Sequence, residues 1–482
     1  MIGSRVVVVG NGMAGSRFVQ ELRARDQHVD ITVIGAEPGG PYNRVLLSNV
    51  LAGSAHADDV VLTSAEWYAE QRVTVHCGVR ATAIDRDARE VVTESGRVSY
   101  DVLVLATGST AVVPPIAGIT TADGLLRKGV TVFRTLDDCV EILEHTGQAR
   151  RAVVIGGGLL GLEAARGLAG RGLPVTVLHA LGHLMERQLD AGAGRVLVRT
   201  LRRLGVAVIT DARTTQVHGR ERVTGVSLDD GRTVLADLIV LACGVRPDVR
   251  LATDAGLAVD RGVVVDDHLR SISDESVYAI GECAQHDGQV YGLVAPAWEQ
   301  ARVLAGVLTG DTARYGGSQT VTRLKAAGVE LAAMGDVHVD ESDDTELVTF
   351  TDAARGTYQK LVLRADRVVG AILLGDTRAA GTVTQLFDRG SVAPADRAAL
   401  LLDTRRNGEA APAHLPDRST ICHCNGVTKG AIRESWQDGA RTVADLARTT
   451  RATTGCGTCR DRVCGLLDWL AGADPEPAAV PV

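Results

Sequence analysis

Aromatic residues make up only 3% of the 482-residue chain, too few for the stacking platforms that hold nucleic-acid bases. Positive charge is not in excess either. Against 51 basic residues stand 59 acidic ones, a net charge of −8, whereas nucleic acids and anionic membranes both select clustered positive charge. No apolar run approaches the roughly 20 residues of a membrane span. The opening MIGSRVVVVG runs straight into an apolar strand, without the charged region, long apolar core and small-residue site of a secretory signal. Nine cysteines are too sparse for a disulfide scaffold, and their odd number fits a reducing compartment. These absences point to a cytoplasmic protein that engages neither nucleic acid nor membrane. What is present is ordinary for a globular chain, 45% hydrophobic and 23% charged, and at roughly 150 residues per domain the length allows about three domains.

Two segments repeat one pattern. VVVVGNGMAGSRFVQEL from Val6 and AVVIGGGLLGLEAARGL from Ala152 each join an apolar β-branched run, G-x-G-x-x-G and an amphipathic helical stretch. One such motif is weak; two in the same strand–turn–helix context imply two dinucleotide sites. In the first, Gly10 permits the tight turn, Gly12 lets the backbone approach a pyrophosphate and Gly15 allows close packing of helix on strand. The helix N-terminus adds free N–H groups and a positive dipole end. Glu37 closes the second strand 22 residues after Gly15, where a carboxylate accepts ribose hydroxyls. In the second, Gly156, Gly158 and Gly161 repeat these roles, but the equivalent strand ends in His179 rather than an acid. His179 either touches the adenosine ribose or packs at the strand end, and Arg187 is the first candidate for a 2′-phosphate. NADH versus NADPH stays open.

Between the fingerprints, YDVLVLATGS ends a strand in a Thr-Gly turn at Thr107-Gly108, and SVYAIGEC ends a later one at Gly281-Glu282. After Pro296 a helical period begins, proline being tolerated at a helix start. Short alternating strands follow from about Thr312 to Asp403. The aperiodic RRNGEAAPAHLPDRS, Arg405 to Ser419, reads as a linker, and a tether of this length reaches on the order of 20 Å, enough for the module after it to swing.

Two dinucleotide folds joined through an A-T-G turn and a late G-[DE] strand resemble the FAD-dependent pyridine nucleotide-disulfide oxidoreductase superfamily. The resemblance covers about residues 1 to 311 and implies an α/β chain of two interleaved Rossmann-like domains. FAD would take 1–116 and 244–311, and NAD(P)H 117–243, followed by an α+β domain at 312–404, the linker 405–419, a small helical module at 420–472 and a disordered tail at 473–482. It further implies that Thr107, Gly108 and Gly281 lie beside the FAD, that Glu282 holds the ribityl chain, that Ala81 meets the adenine through its backbone, and that the helix after Pro296 aims its positive end at the flavin.

The segment that carries redox cysteines in disulfide reductases reads GPYNRVLLSNVL here, without one. Cys77, Cys139, Cys243 and Cys283 stand alone, and lone cysteines are usually small buried residues, so a dithiol mechanism does not fit. P-Y-x-R-x-x-L-S instead resembles the ferredoxin reductase and nitrite reductase branch, placing Arg44 near the FAD. Asn49 stands where that branch tends to have a lysine, leaving Glu163, the implied catalytic acid beside the nicotinamide, without that ion pair.

Near the C-terminus the spacing is Cys422-x-Cys424, 31 residues, Cys456-x-x-Cys459. Four thiolates in two close pairs can hold tetrahedral zinc or a [2Fe–2S] cluster. The segment resembles the bacterioferritin-associated ferredoxin module, which implies [2Fe–2S], with Cys464 in a helix outside the ligand set. Together with HLMERQLD and VYGLVAPAWE, the chain resembles the N-terminal half of NAD(P)H nitrite reductase large subunits, without the sirohaem domain. The implied function is electron flow from NAD(P)H through FAD to [2Fe–2S] and on to a separate molybdenum nitrate reductase or sirohaem nitrite reductase subunit. A ferredoxin-type reductase for an oxygenase or amino-acid dehydrogenase is the alternative, and a redox- or iron-sensing binding module the non-enzymatic one.

Overall fold

A computed structural model describes residues 5–324, 326–340, 342, 344–402, 415–422, 425–455 and 459–473. The β-branched run Arg5–Val9 is the central strand of a five-stranded parallel sheet, flanked by Asp30–Gly35 and Val102–Leu105. Its outer strands are Val73–Cys77 and Val277–Ala279. The last of these arrives only after the second dinucleotide domain has intervened, so the two domains interleave. The central strand of this sheet and Val102–Leu105 are buried on both faces, which is why they read as near-continuous apolar runs rather than alternating, whereas the outer Val73–Cys77 is partly exposed.

The second parallel sheet centres on Ala152–Ile155, with Val175–Leu178 and Leu238–Leu241 beside it. In both domains the strand hands over to a helix at the glycine fingerprint, Met13–Arg25 in the first and Leu159–Gly170 in the second. Among the described residues no helix is long and apolar enough to cross a membrane.

The segment from Val321 to Leu374 forms a five-stranded antiparallel sheet, covered by the helix Ala380–Arg389. It is fastened to the second dinucleotide domain by a buried polar link. Asp190 caps the helix Ala191–Arg203 by accepting from Ala193 N–H (2.9 Å), and also accepts from Tyr358 Oη (2.7 Å) and Lys360 Nζ (3.2 Å).

The C-terminal module is a short hairpin, Thr420–Cys422 with Val427–Thr428, and the helices Lys429–Gln437, Val443–Thr450 and Arg460–Ala473. They close around Ile421, Ile432, Leu446, Val463 and Leu466. Two boundaries differ from the sequence reading. Leu415 packs on this core and accepts from Lys429 Nζ (2.8 Å), while Asp417 pairs with Arg433 (2.7 Å), so the last five residues read as linker belong to the module. The helix expected after Pro296 runs over Val294–Leu308, with proline in its first turn, where the missing N–H has no intrahelical partner to lose. Residues 405–414 of the linker and 474–482 of the tail lie outside the described residues.

Candidate functional site

One cavity of about 720 Å³ lies where the domains meet, within the size range of small-molecule and cofactor sites. The first fingerprint forms its floor, and its three glycines serve different needs. Gly10 has φ +115°, and a Cβ there would stand 2.1 Å from the Ala106 carbonyl oxygen. A Cβ on Gly15 would stand 2.0 Å from the Gly10 oxygen, which lets the helix lie directly on the turn. A Cβ on Gly12 would meet nothing within 4 Å. That opening sits at the N-terminus of the helix Met13–Arg25, where free N–H groups favour an anion. Beside it the buried Asn11 Nδ2 has no hydrogen-bond partner although Asn11 Oδ1 accepts from Tyr68 (2.8 Å). An open cradle with an unused buried donor fits a dinucleotide phosphate.

Glu37, Arg44, Ala81, Thr107, Gly108, Gly281 and Glu282 all line this cavity. Glu37 accepts from Tyr42 Oη (2.6 Å) and forms an ion pair with Arg44, whose guanidinium lies 4.9 Å over the Tyr42 ring. Burial pushes the Tyr42 phenol up, and Arg44 opposes this only in part, so the hydroxyl remains a donor. Glu282 pairs with Arg134 and accepts from Ser109 Oγ (2.7 Å), both on Oε2. Sequence reasoning missed Arg134, which lies 148 residues from its partner and in no motif. Thr107 Oγ1 donates to the carbonyl of Asp248, another lining residue (2.6 Å), and Gln300 Oε1, from behind the cavity wall, accepts from Gly281 N–H (2.7 Å), so both turns are fixed.

The second fingerprint repeats the first. Gly156 has φ +120° with a Cβ position 2.2 Å from the Ala242 oxygen, Gly161 abuts Gly156, and Gly158 is open. His179 belongs to the packing of this turn. It is 7% exposed, its Nδ1 accepts from Gly157 N–H (3.1 Å), and its Nε2 lies 3.3 Å from Glu186 without hydrogen-bond alignment. Gly156, Gly158, Gly161 and His179 stand outside the cavity, while Leu159, Leu160 and Glu163, from the first two turns of the following helix, line it.

Part of the cavity wall is made by the C-terminal module. Of the described cysteines, Cys422 and Cys459 line the cavity, with exposures of 2% and 6%. A hydrogen bond with Cys459, stronger in effect than the opposing burial, brings the Cys422 thiol down to about 6. Such a thiol is ready to ligate as thiolate, which fits a sulfur-ligated cluster. Cys424 and Cys456 lie outside the described residues, and among the described residues no group of three or more His, Cys, Asp or Glu forms a metal site. Cys139 and Cys283 are buried, but Cys77 is exposed, unlike the lone buried residue expected. Burial holds the Cys139 and Cys243 thiols up at about 11 each, which does not suit dithiol chemistry.

The module is docked rather than held away on its tether. Asn43 Nδ2 donates to the carbonyls of Thr454 (2.8 Å) and Gly455 (2.7 Å), Arg17 Nη1 donates to Asn425 Oδ1 (2.9 Å), and Arg451 pairs with Glu21 (3.1 Å).

Residues 4–301 match the pyridine nucleotide-disulphide oxidoreductase family. The chain belongs to that family. Residues 321–391 match the rubredoxin NAD+ reductase C-terminal domain, and 420–469 the BFD-like [2Fe-2S] binding domain. The chain is 39% identical to a nitrite reductase [NAD(P)H] of Bacillus subtilis (strain 168), over 98% of its own length and 59% of that protein. It is 38% identical to the assimilatory nitrate reductase electron transfer subunit of the same strain, over 99% and 61%. Among solved structures, the covalent putidaredoxin reductase–putidaredoxin complex superposes with a TM-score of 0.74 at 28% identity, covering 85% of this chain and 97% of that one. The chain thus spans about three-fifths of the length of the first two relatives. As a family member it is an FAD-dependent NAD(P)H oxidoreductase, and its third matched domain is a [2Fe–2S] domain.

Proposed function

We propose that this chain is an electron-transfer component that draws on NAD(P)H and passes electrons through FAD and a [2Fe–2S] cluster to a separate reductase. That partner is a molybdenum nitrate reductase in the first instance and a sirohaem nitrite reductase in the second, and the setting is the cytoplasm. The observation that carries this reading is the shared cavity. Glu163 of the nicotinamide domain, the first fingerprint and the cluster-module thiols Cys422 and Cys459 line one space. FAD, when bound, supplies the exchange between a two-electron donor and a one-electron acceptor.

The chain's own residues bind, orient and insulate. Gly12, Asn11 and the helix N-terminus receive the pyrophosphate, Glu37 with Arg44 the ribose, the backbone at Ala81 the adenine, and Glu282, fixed by Arg134, the ribityl hydroxyls. Gly158 receives the pyrophosphate of NAD(P)H, and Glu163 acts beside its nicotinamide. Cys422, Cys424, Cys456 and Cys459 ligate the cluster. The docked module sets the buried Cys422 and Cys459 in the cavity wall, out of contact with bulk water, which limits leakage.

The test is anaerobic stopped-flow mixing of the purified protein with NADH and with NADPH. Flavin bleaching followed by cluster reduction, and oxidation on adding nitrate reductase, are expected. A flavin that is reduced while the cluster stays oxidised would overturn the proposal. The likeness to putidaredoxin reductase favours the ferredoxin-reductase alternative only for the first domains, since this chain brings its own cluster domain at 420–469.

A further inference from the structure

The helix that begins at the first fingerprint also reaches the cluster module. Arg17, one turn after Met13, is 7% exposed. Its Nε donates to Glu21 Oε1 (2.8 Å), and its guanidinium lies 5.3 Å over the Trp298 ring. Trp298 in turn donates to the Met13 carbonyl (3.0 Å). Arg17 is thereby braced against the residue that starts the helix. Its remaining contact crosses to the module, where Nη1 donates to Asn425 Oδ1 (2.9 Å).

Asn425 is 8% exposed, and its orientation is dictated by chemistry. A guanidinium only donates, so the amide oxygen must face Arg17 and the NH2 must face the other way. There its two N–H groups serve three acceptors, the Arg451 carbonyl (2.6 Å), Thr454 Oγ1 (3.3 Å) and Cys422 Sγ (3.7 Å). Glu21, which meets Arg17, also pairs with Arg25 (2.8 Å) and Arg451 (3.1 Å), so one carboxylate serves three guanidinium groups and positive charge remains at this joint. We propose that Arg17 and Asn425 form a relay between the flavin-binding helix and the cluster, fixing the module in its receiving position and raising the cluster's reduction potential through the Cys422 sulfur. This rests on the electron-transfer reading above. An N–H···S bond and a nearby cation both favour the more negative, reduced cluster.

The relay is tested in the cofactor-loaded protein with Arg17→Met, Arg17→Lys, Asn425→Ala and Asn425→Asp. For Arg17→Met, the rate at which electrons reach the cluster falls about tenfold or more, as expected when a transfer geometry is loosened, while flavin reduction by NADH keeps its rate. The cluster potential from EPR-monitored titration becomes more negative, and deuterium uptake rises over residues 420–427 and 451–455. Arg17→Lys recovers part of the potential. Asn425→Asp keeps an acceptor for Arg17 but offers the sulfur no N–H and turns an anion toward the Arg451 carbonyl: the potential falls and exchange over 451–455 rises. Asn425→Ala lowers the potential and raises exchange together. If Arg17→Met does not fold, Asn425→Asp decides, and an unchanged potential there overturns the relay. Variants with full iron and sulfide whose potential and cluster-reduction rate match wild type overturn this inference alone. A wild-type protein without iron overturns the electron-transfer reading and the relay together.

Discussion

The side-chain amide of Asn43, inside the PYNRVLLS segment, holds the backbone of the cluster loop by donating to both Thr454 (2.8 Å) and Gly455 (2.7 Å). Its oxygen meanwhile accepts from Val45 N–H (3.1 Å) and caps a short 3-10 turn. Asn43→Asp keeps the cap but turns both donors into an anion facing two carbonyls. Docking of the module should weaken by about 1–3 kcal/mol, the usual penalty for buried polar groups left unmatched. Faster deuterium exchange at residues 451–455, with the flavin still bound, is the expected reading; unchanged exchange counts against the contact.

Gly12 and Gly15 should fail in different ways when substituted. Gly12→Val points into open space, so the protein folds but purifies without flavin. Gly15→Ala drives a methyl to 2.0 Å from the Gly10 oxygen, and backbone movement of that kind destabilises by on the order of 3 kcal/mol. Gly158→Val is the counterpart of Gly12→Val in the second domain and should leave flavin bound while abolishing turnover with NADH and NADPH. Flavin absorbance and thermal denaturation distinguish the three outcomes.

The pattern of legibility follows from sequence distance. The paired fingerprints, the Thr107-Gly108 turn and Gly281-Glu282 are local, because strand, turn and helix are specified by neighbours in the chain. The two interleaved parallel sheets follow from them. Invisible in the sequence were contacts between elements far apart in it. Arg134 holds Glu282 across 148 residues, and Arg17 meets Asn425 across 408. No periodicity or motif marks such pairs. The docking surface was equally illegible, because composition describes the freedom of a linker and not the surface that its cargo finds. His179, left open between ribose and packing, shows its Nδ1 committed to Gly157 because residue 157 of the fingerprint has no side chain and the ring fills that space.

Asp190 predicts an acid-sensitive joint between the nicotinamide domain and the antiparallel sheet. Burial alone would raise its carboxyl, but the Ala193 N–H, the Tyr358 hydroxyl and the Lys360 ammonium together hold it below the ordinary carboxylate range. A carboxyl depressed in the folded state stabilises fully above its unfolded value, about 3.9, and loses that contribution as pH falls through the folded value. Asp190→Ala should cost about 2–4 kcal/mol at neutral pH, from the lost cap and a buried Lys360 left with the Val337 carbonyl as its hydrogen-bond acceptor. Denaturation curves of wild type and variant should converge as the pH falls below the ordinary carboxylate range. A gap that persists there would mean that packing, not the charge, holds the joint.

The 482-residue chain should oxidise NADH or NADPH with an artificial dye yet leave nitrate and nitrite untouched until a partner reductase is added. The matched region at 4–301 accounts for flavin and nicotinamide and that at 420–469 for [2Fe–2S] binding, and among the described residues no group of three or more His, Cys, Asp or Glu forms a metal site. Reduction of nitrite to ammonium needs sirohaem, and reduction of nitrate needs molybdenum, whereas a single [2Fe–2S] cluster passes one electron at a time. Docking adds a constraint. Cys422 and Cys459 are buried against the cavity, so a partner has either to approach the module's outer face or to loosen the contacts made by Asn43 and Arg17. If loosening is required, Asn43→Asp will slow reduction of the cluster but speed its reoxidation by nitrate reductase; if delivery runs through the outer face, reoxidation will keep its wild-type rate. Nitrite consumption by the homogeneous chain alone would refute the assignment as a donor, and failure of every nitrate or nitrite reductase to take its electrons would move it to the oxygenase or amino-acid dehydrogenase systems.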